Sequence, residues 1–273
     1  MKTWYWSKAI GLLLIFFVIS AGPVLAATLV IKGSTTVLPI AQRAAEAFMK
    51  THQDINVSVS GGGSGNGIKA LIDGTTDIAD SSRFIKNKEI KAAMERGVFP
   101  VPHRVALDCV VPVVHPSNPL EDISLDRLKD IYTGKIRNWK ALGGPDKPIV
   151  VISRDTSSGT YEVWEHKVLH KERVTSRALL QASNGAVAQA VAKNKYAIGY
   201  VGIGYLNKEL RPLKINGAEA TPTTALNGTF PVSRELFMFT RGWPTGDAIT
   251  FINFVVSPAG QEIVQEEGFV PMY

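Results

Sequence analysis

The chain has 273 residues, 45% of them hydrophobic and 20% charged, with 30 Lys+Arg against 24 Asp+Glu, a formal net charge of +6 and one cysteine. That apolar content excludes a disordered chain, and a single cysteine supplies neither an internal disulfide nor the thiolate set of a structural zinc or iron–sulfur centre. The length admits one large domain or two modest ones, and a pI near 9.3 raises nucleic acid as a partner.

Lys2 and Lys8 precede an unbroken apolar run at 9–19, the breaker Gly22-Pro23, and small residues through Ala26 and Ala27. This pattern predicts a cleaved secretory leader over 1–26. The run is short of the roughly 18–20 apolar residues that cross a bilayer. No cysteine stands at the expected cleavage point, so a lipid anchor is not expected and the mature chain is expected free in the periplasm. Losing the leader's two lysines lowers the net charge to +4. The remaining basic residues are dispersed among acids, with no basic run or aromatic interleaving, which withdraws nucleic acid as a partner.

In chain order, β-branched or apolar runs predict strands at 28–31, 55–59, 78–79, 105–114, 149–152, 197–201 and 236–239. Helical spacing falls between them: Val37, Ile40, Ala41, Ala44 and Phe48 share one face, as do Ile68, Leu71 and Ile72, and Leu125, Leu128, Ile131 and Tyr132. The alternation predicts an α/β protein with mostly parallel sheets. Two long extended segments, the strand after His103 and the stretch 229–240, suit a pair of Rossmann-like lobes joined by two crossover strands. The expected division is 27–107 with 236–273 for one lobe and 108–235 for the other. Cys109, inside an apolar stretch, is expected to be a buried, inert thiol.

Four Ser/Thr/Gly turns fall at strand ends. They are Gly33-Ser34-Thr35-Thr36, the glycine loop 61–67 with Ser64 inside it, Asp80-Ser81-Ser82-Arg83, and the turn 153–160 that holds Arg154, Ser158, Gly159 and Thr160. Helix N-termini present unpaired N–H groups and partial positive charge, short hydroxyls add donors without bulk, and glycine lets backbone approach a ligand. Several such turns at strand carboxyl ends make a cradle for a tetrahedral oxyanion, with arginine able to bond two of its oxygens. Any one turn alone reads equally as an N-cap or a solvated surface arginine. The glycine loop lacks the Gly-Lys-Ser/Thr ending of a nucleotide P-loop.

The order of these motifs, together with 128–139 and Ala197-Ile198-Gly199-Tyr200, resembles the shorter phosphate-binding periplasmic proteins that feed ABC importers, over essentially the whole mature chain. The resemblance implies a type II periplasmic-binding-protein fold with the ligand cleft between its lobes, and inorganic phosphate and a membrane-embedded ABC permease as partners. It implies anion-binding roles for Thr35, Thr36 through its backbone N–H, Ser64, Ser82, Arg154, Ser158, Gly159 and Thr160, to which the turn chemistry itself adds Ser34 and Arg83. Longer members carry a ligand-contacting Asp where Ser82 stands, a carboxylate that accepts the proton phosphate has and sulfate lacks. Asp80, on the same strand face by alternation, is the candidate substitute.

A monomer without cofactor or metal is expected, and not an enzyme. The competing readings are a carrier of sulfate, molybdate or tungstate, and a serine-type hydrolase using Ser157-Ser158-Gly159. The hydrolase fails the Gly-x-Ser-x-Gly pattern. His166 and His170, four apart, have a metal-like spacing, but Lys167, Lys171 and Glu172 around them favour a solvated face.

Overall fold

The computed structural model describes Met1 and residues 28–273, so the expected leader and its cleavage point lie outside the described residues. In chain order the elements are β1 (Thr28–Gly33), α1 (Leu38–Thr51), β2 (Asn56–Gly61), α2 (Ser64–Asp73), β3 (Ile78–Ser81), α3 (Asn87–Met94) and β4 (Val101–Val114). Then follow β5 (Asp122–Ile123), α4 (Leu125–Thr133), β6 (Val150–Arg154), α5 (Gly159–Lys167), β7 (Leu179–Gln181), α6 (Asn184–Ala192) and β8 (Ala197–Gly202). The chain closes with β9 (Arg211–Pro212), β10 (Lys214–Ile215), α7 (Pro222–Leu226), β11 (Ser233–Thr240), α8 (Gly246–Val256) and α9 (Pro258–Glu266).

Among the described residues nine strands form one sheet along the path β2-β1-β3-β11-β4-β8-β6-β7, with β9 beside β4, while β5 and β10 pair separately. β1 is parallel to β2 and β3, and β6 is parallel to β7 and β8, as strand–helix alternation predicts. The two long segments make the join. β4 pairs antiparallel with β11 through its first nine residues, then with β8 from Val110 onward. At about 3.3 Å per residue its 14 residues carry one strand from one half of the sheet into the other.

The apolar cores divide along the same line. Leu29, Ile31, Ile40, Phe48, Leu236, Met238 and Phe251 pack together under α1 and α8, and Ile68, Leu71 and Phe239 pack on the opposite sheet face. A separate core gathers Val111, Tyr132, Trp139, Trp164, Val187, Tyr200 and Phe230. The helix faces expected from spacing are the buried ones: Val37, Ile40, Ala41, Ala44 and Phe48 are all inside, as are Leu128, Ile131 and Tyr132, with Leu125 half-buried beside them. Short β5, β7, β9 and β10 carry no period and were not expected from the sequence. Cys109 is buried, and that burial pushes its thiol up to about 12.

Candidate anion-binding site

Four helix N-termini converge between the two halves of the molecule. The turn before α1 is closed by Ser34, whose Oγ accepts from the backbone N–H of Thr36 (3.1 Å) and of Val37 (3.4 Å). Ser158 caps α5 by accepting from Tyr161 N–H, and Ser183 caps α6 by accepting from Ala186 N–H. α2 begins at Gly63, which has φ of 97° and no capping side chain. A Cβ at Gly63 would stand 2.6 Å from Ser157 Oγ, so only glycine allows the loop to approach the opposite half.

The side chains meet across this junction. Thr36 Oγ1 lies 2.9 Å from Thr160 Oγ1, and Asn184 Nδ2 donates to Thr35 Oγ1 (3.2 Å) and Thr36 Oγ1 (3.0 Å). Ser64 Oγ accepts from Ser82 N–H at 3.0 Å and lies 3.3 Å from Ser82 Oγ. Gly159 completes the group, because a Cβ there would collide with Ser64 Oγ and come within 2.7 Å of Ser82 Oγ. Gly159→Ala is therefore expected to obstruct approach of the halves at a cost of about 1–3 kcal/mol. Anion affinity measured calorimetrically should fall about tenfold or more while the unliganded melting temperature stays put. An unchanged affinity would mean that this contact is not used.

Arg154 brings a buried positive charge to its half of the molecule. It ends β6, is buried, donates from Nε to Gln181 O and from Nη2 to Ala182 O at 3.0 Å each, and lies 3.7 Å from Asp155. Its Nη1 has no hydrogen-bond partner among the described residues. Burial holds its pKa below the ordinary arginine value, Asp155 opposes the shift, and neighbouring Arg234 adds to it. An incompletely compensated buried cation is a standing demand for an anion.

Two expected donors are engaged by protein partners. Arg83 donates to Glu89 through Nη1 (2.8 Å) and Nη2 (2.7 Å), and its Nε lies 2.7 Å from Glu162 Oε2. Burial works against its charge, but the two carboxylates outweigh that and raise its pKa, so its charge is balanced by its own neighbours. The Thr36 backbone N–H, expected to be a donor, is already bound by Ser34 Oγ; its hydroxyl faces the cradle instead.

Asp80 is buried with both carboxyl oxygens unpartnered among the described residues, and burial raises its pKa well above the usual carboxylate range. A folded-state pKa above the unfolded one means stability is fully present at acid pH and declines as pH rises through the raised value. Asp80→Asn is expected to abolish that decline and to raise neutral-pH stability, read from urea midpoints between about pH 4 and 8. A parallel loss in both proteins would place the titration elsewhere.

The sequence reading missed Asp108, Asn184, Arg234 and Tyr205. Asp108 and Arg234 are buried directly opposite each other on β4 and β11, with Arg234 Nη2 2.6 Å and Nε 2.8 Å from Asp108 Oδ2. Arg234 Nη2 also donates to Thr36 Oγ1 (3.1 Å) and Thr160 Oγ1 (3.2 Å), while Asp108 Oδ1 accepts from Ile203 N–H. Tyr205 donates its hydroxyl to Thr35 O. A charge inside each of two strands otherwise read as apolar was the available signal. His166 and His170 are exposed, and His170 lies beyond the end of α5, so the two do not share a helix face.

Two α/β lobes joined by long crossover strands, with helix N-termini, hydroxyls and a buried guanidinium gathered between them, define the class of type II periplasmic binding proteins. Residues 20–259 match the PBP superfamily domain. The phosphate-binding protein PstS of Staphylococcus epidermidis is 34% identical over 253 residues, covering 88% of this chain and 77% of its own, and that of Bacillus subtilis is 32% identical over 250 residues, covering 90% and 81%. A Clostridium perfringens protein described as a phosphate ABC transporter substrate-binding protein, crystallised with bound phosphate, superposes with a TM-score of 0.85 at 34% identity, covering 90% of this chain and 100% of that one. The chain belongs to the PstS family of phosphate-binding proteins.

Proposed function

We propose that this protein captures inorganic phosphate between its lobes and delivers it to an ABC import permease, as a substrate-binding protein and not an enzyme. The observation that carries the reading is a pair of buried guanidiniums, Arg154 and Arg234, each with Nη1 unpartnered among the described residues, the second bonded through Nη2 to the Thr36 and Thr160 hydroxyls of the two halves. In this reading Arg154 binds the anion's charge. Thr35, Thr36, Ser64, Ser82, Ser158 and Thr160 offer hydroxyls, and the first N–H groups of α5, at Gly159 and Thr160, donate along the helix axis. Ser34 acts one step back, holding the turn. The anion meets donors of one lobe first; closure adds the second set and removes water, so the charge-assisted bonds form where screening is weak.

Asp80 is the proposed acceptor of the phosphate proton, since it is the buried carboxyl with no other partner. The same Asp80→Asn protein then loses phosphate affinity without losing affinity for fully ionised sulfate. The serine-hydrolase reading is not favoured: Ser157 Oγ donates to Asp155, and Ser158 Oγ caps α5.

No helix among the described residues is long and apolar enough to cross a membrane. A periplasmic, unanchored monomer completes the proposal, supported by the expected leader. Calorimetric titration with phosphate, sulfate, molybdate and tungstate near neutral pH tests it. Phosphate should bind with a dissociation constant of about 1 μM or lower, near −8 kcal/mol. Sulfate binding of equal strength would overturn the choice of phosphate.

A further inference from the structure

Arg83, set aside from the anion cradle, belongs to a charge cluster that spans the two lobes. Its lobe holds three of the members. Glu89 on α3 grips the Arg83 guanidinium bidentately and also accepts from Lys86 N–H at 2.9 Å, so Arg83 is oriented before anything arrives from outside. The Arg83 Nη1 donates further to Phe84 O. Two cationic groups are left facing the cleft mouth, the Arg83 Nε edge and the Lys86 ammonium. Both reach one oxygen of one residue from the other lobe: Glu162 Oε2, on the first turn of α5, is 2.7 Å from Arg83 Nε and 2.6 Å from Lys86 Nζ.

The charge balance is complementary. Arg83, Lys86 and Glu89 sum to one positive charge on their lobe, and Glu162 brings the one negative charge that neutralises it. The Arg83 and Glu162 side chains are 7% and 13% exposed, so solvent screens this contact far less than a surface pair. The neighbouring backbone closes along the same seam, where Gly65 N–H donates to Ser157 O at 3.0 Å. Glu162 touches none of the cradle hydroxyls; it lies one helical turn beyond Ser158.

We infer that Glu162 is an electrostatic latch that favours the closed arrangement of the lobes. The inference rests on the reading of the cleft as an anion site. A group that contacts only the opposite lobe binds the closed form and not the open one, so it raises ligand affinity through the closure equilibrium without touching the ligand.

Glu162→Gln keeps the shape and removes the charge. In calorimetric titration with inorganic phosphate it is expected to weaken binding about tenfold, the size of effect that a desolvated cross-interface charge pair carries, with one site per chain and an unchanged ranking of phosphate over sulfate. Wild-type affinity should fall more steeply than that of the variant between about 20 and 500 mM KCl, because the latch is ionic. Lys86→Gln, at the more exposed end of the cluster, should show the same signature at smaller size. Exchanging the charges in Glu162→Lys with Lys86→Glu should recover part of what Glu162→Lys alone loses. Equal affinity and equal salt slope for wild type and Glu162→Gln would overturn the latch, and so would an altered anion ranking, which would place Glu162 in the site itself. If sulfate, molybdate or tungstate proves to be the bound anion, the same comparison is made with it, so a failed choice of phosphate and a failed latch give different results.

Discussion

Replacing Arg154 with alanine is expected to weaken phosphate binding by about 100-fold or more, the consequence of deleting one partner of a buried charge contact. The size follows from its surroundings. Arg154 is buried, two of its donors are committed to the Gln181 and Ala182 carbonyls, and the carboxylate nearest to it is 3.7 Å away and partly solvated. Those carbonyls hold the guanidinium plane and leave Nη1 without a partner among the described residues. Arg154→Lys should recover little, because a single ammonium cannot keep both carbonyl bonds and present a donor in the same plane. Equilibrium dialysis with labelled phosphate gives the answer directly, and wild-type affinity in Arg154→Ala would remove Arg154 from the site. The unliganded variant should be no less stable, and slightly more so, since removing an incompletely neutralised buried charge relieves its desolvation.

The second large effect concerns stability. Asp108→Ala leaves Arg234 buried with its ion-pair partner gone, and breaking one side of a buried pair costs about 3–5 kcal/mol. Burial pushes the Asp108 carboxyl upward in pKa, against the pull of Arg234 and of the N–H bond from Ile203, so the pair stands on its mutual contact and not on solvation. Urea unfolding of Asp108→Ala without ligand is expected to show that loss. Replacing both partners by apolar residues of similar volume, as in Asp108→Leu with Arg234→Met, should cost much less than Asp108→Ala alone. A loss below about 1 kcal/mol in Asp108→Ala would mean that Arg234 finds another acceptor or water. The pair sits on β4 and β11, the two strands that join the lobes, and its Nη2 reaches Thr36 in one lobe and Thr160 in the other. Its loss is therefore felt at the crossover, where the geometry of closure is set.

Local pattern carried the reading of the fold far. Val37, Ile40, Ala41, Ala44 and Phe48 are spaced for one helix face, and that face is buried. The strands bounded by turn residues appear where runs of Val and Ile predict them, because a run buried on both faces has no polar alternation to hide it. Local pattern failed at β7, whose three residues are too few to show a period.

For the site, the residues with helix-terminal chemistry were legible and the pairing of charges was not. Ser64, Ser82, Arg154, Ser158, Gly159, Thr36 and Thr160 were all marked by their turns, since a cap or a glycine acts on its own neighbours in the chain. Which arginine is free for an anion is another kind of fact. Arg83 and Arg154 look alike in sequence, each following a Ser at or just past the end of a strand, yet Arg83 lies 2.7 Å from both Glu89 and Glu162 while the carboxylate nearest Arg154 is 3.7 Å away. Arg234 was passed over because its partner, Asp108, lies 126 residues away. By itself the sequence determined the alternating α/β lobes, the family and the four Ser/Thr/Gly turns at strand ends, all written in short-range spacing. Only the tertiary structure decided which charges pair, Arg83 with Glu89 and Glu162 and Arg234 with Asp108, because Coulomb attraction depends on distance through space and chain position does not record it.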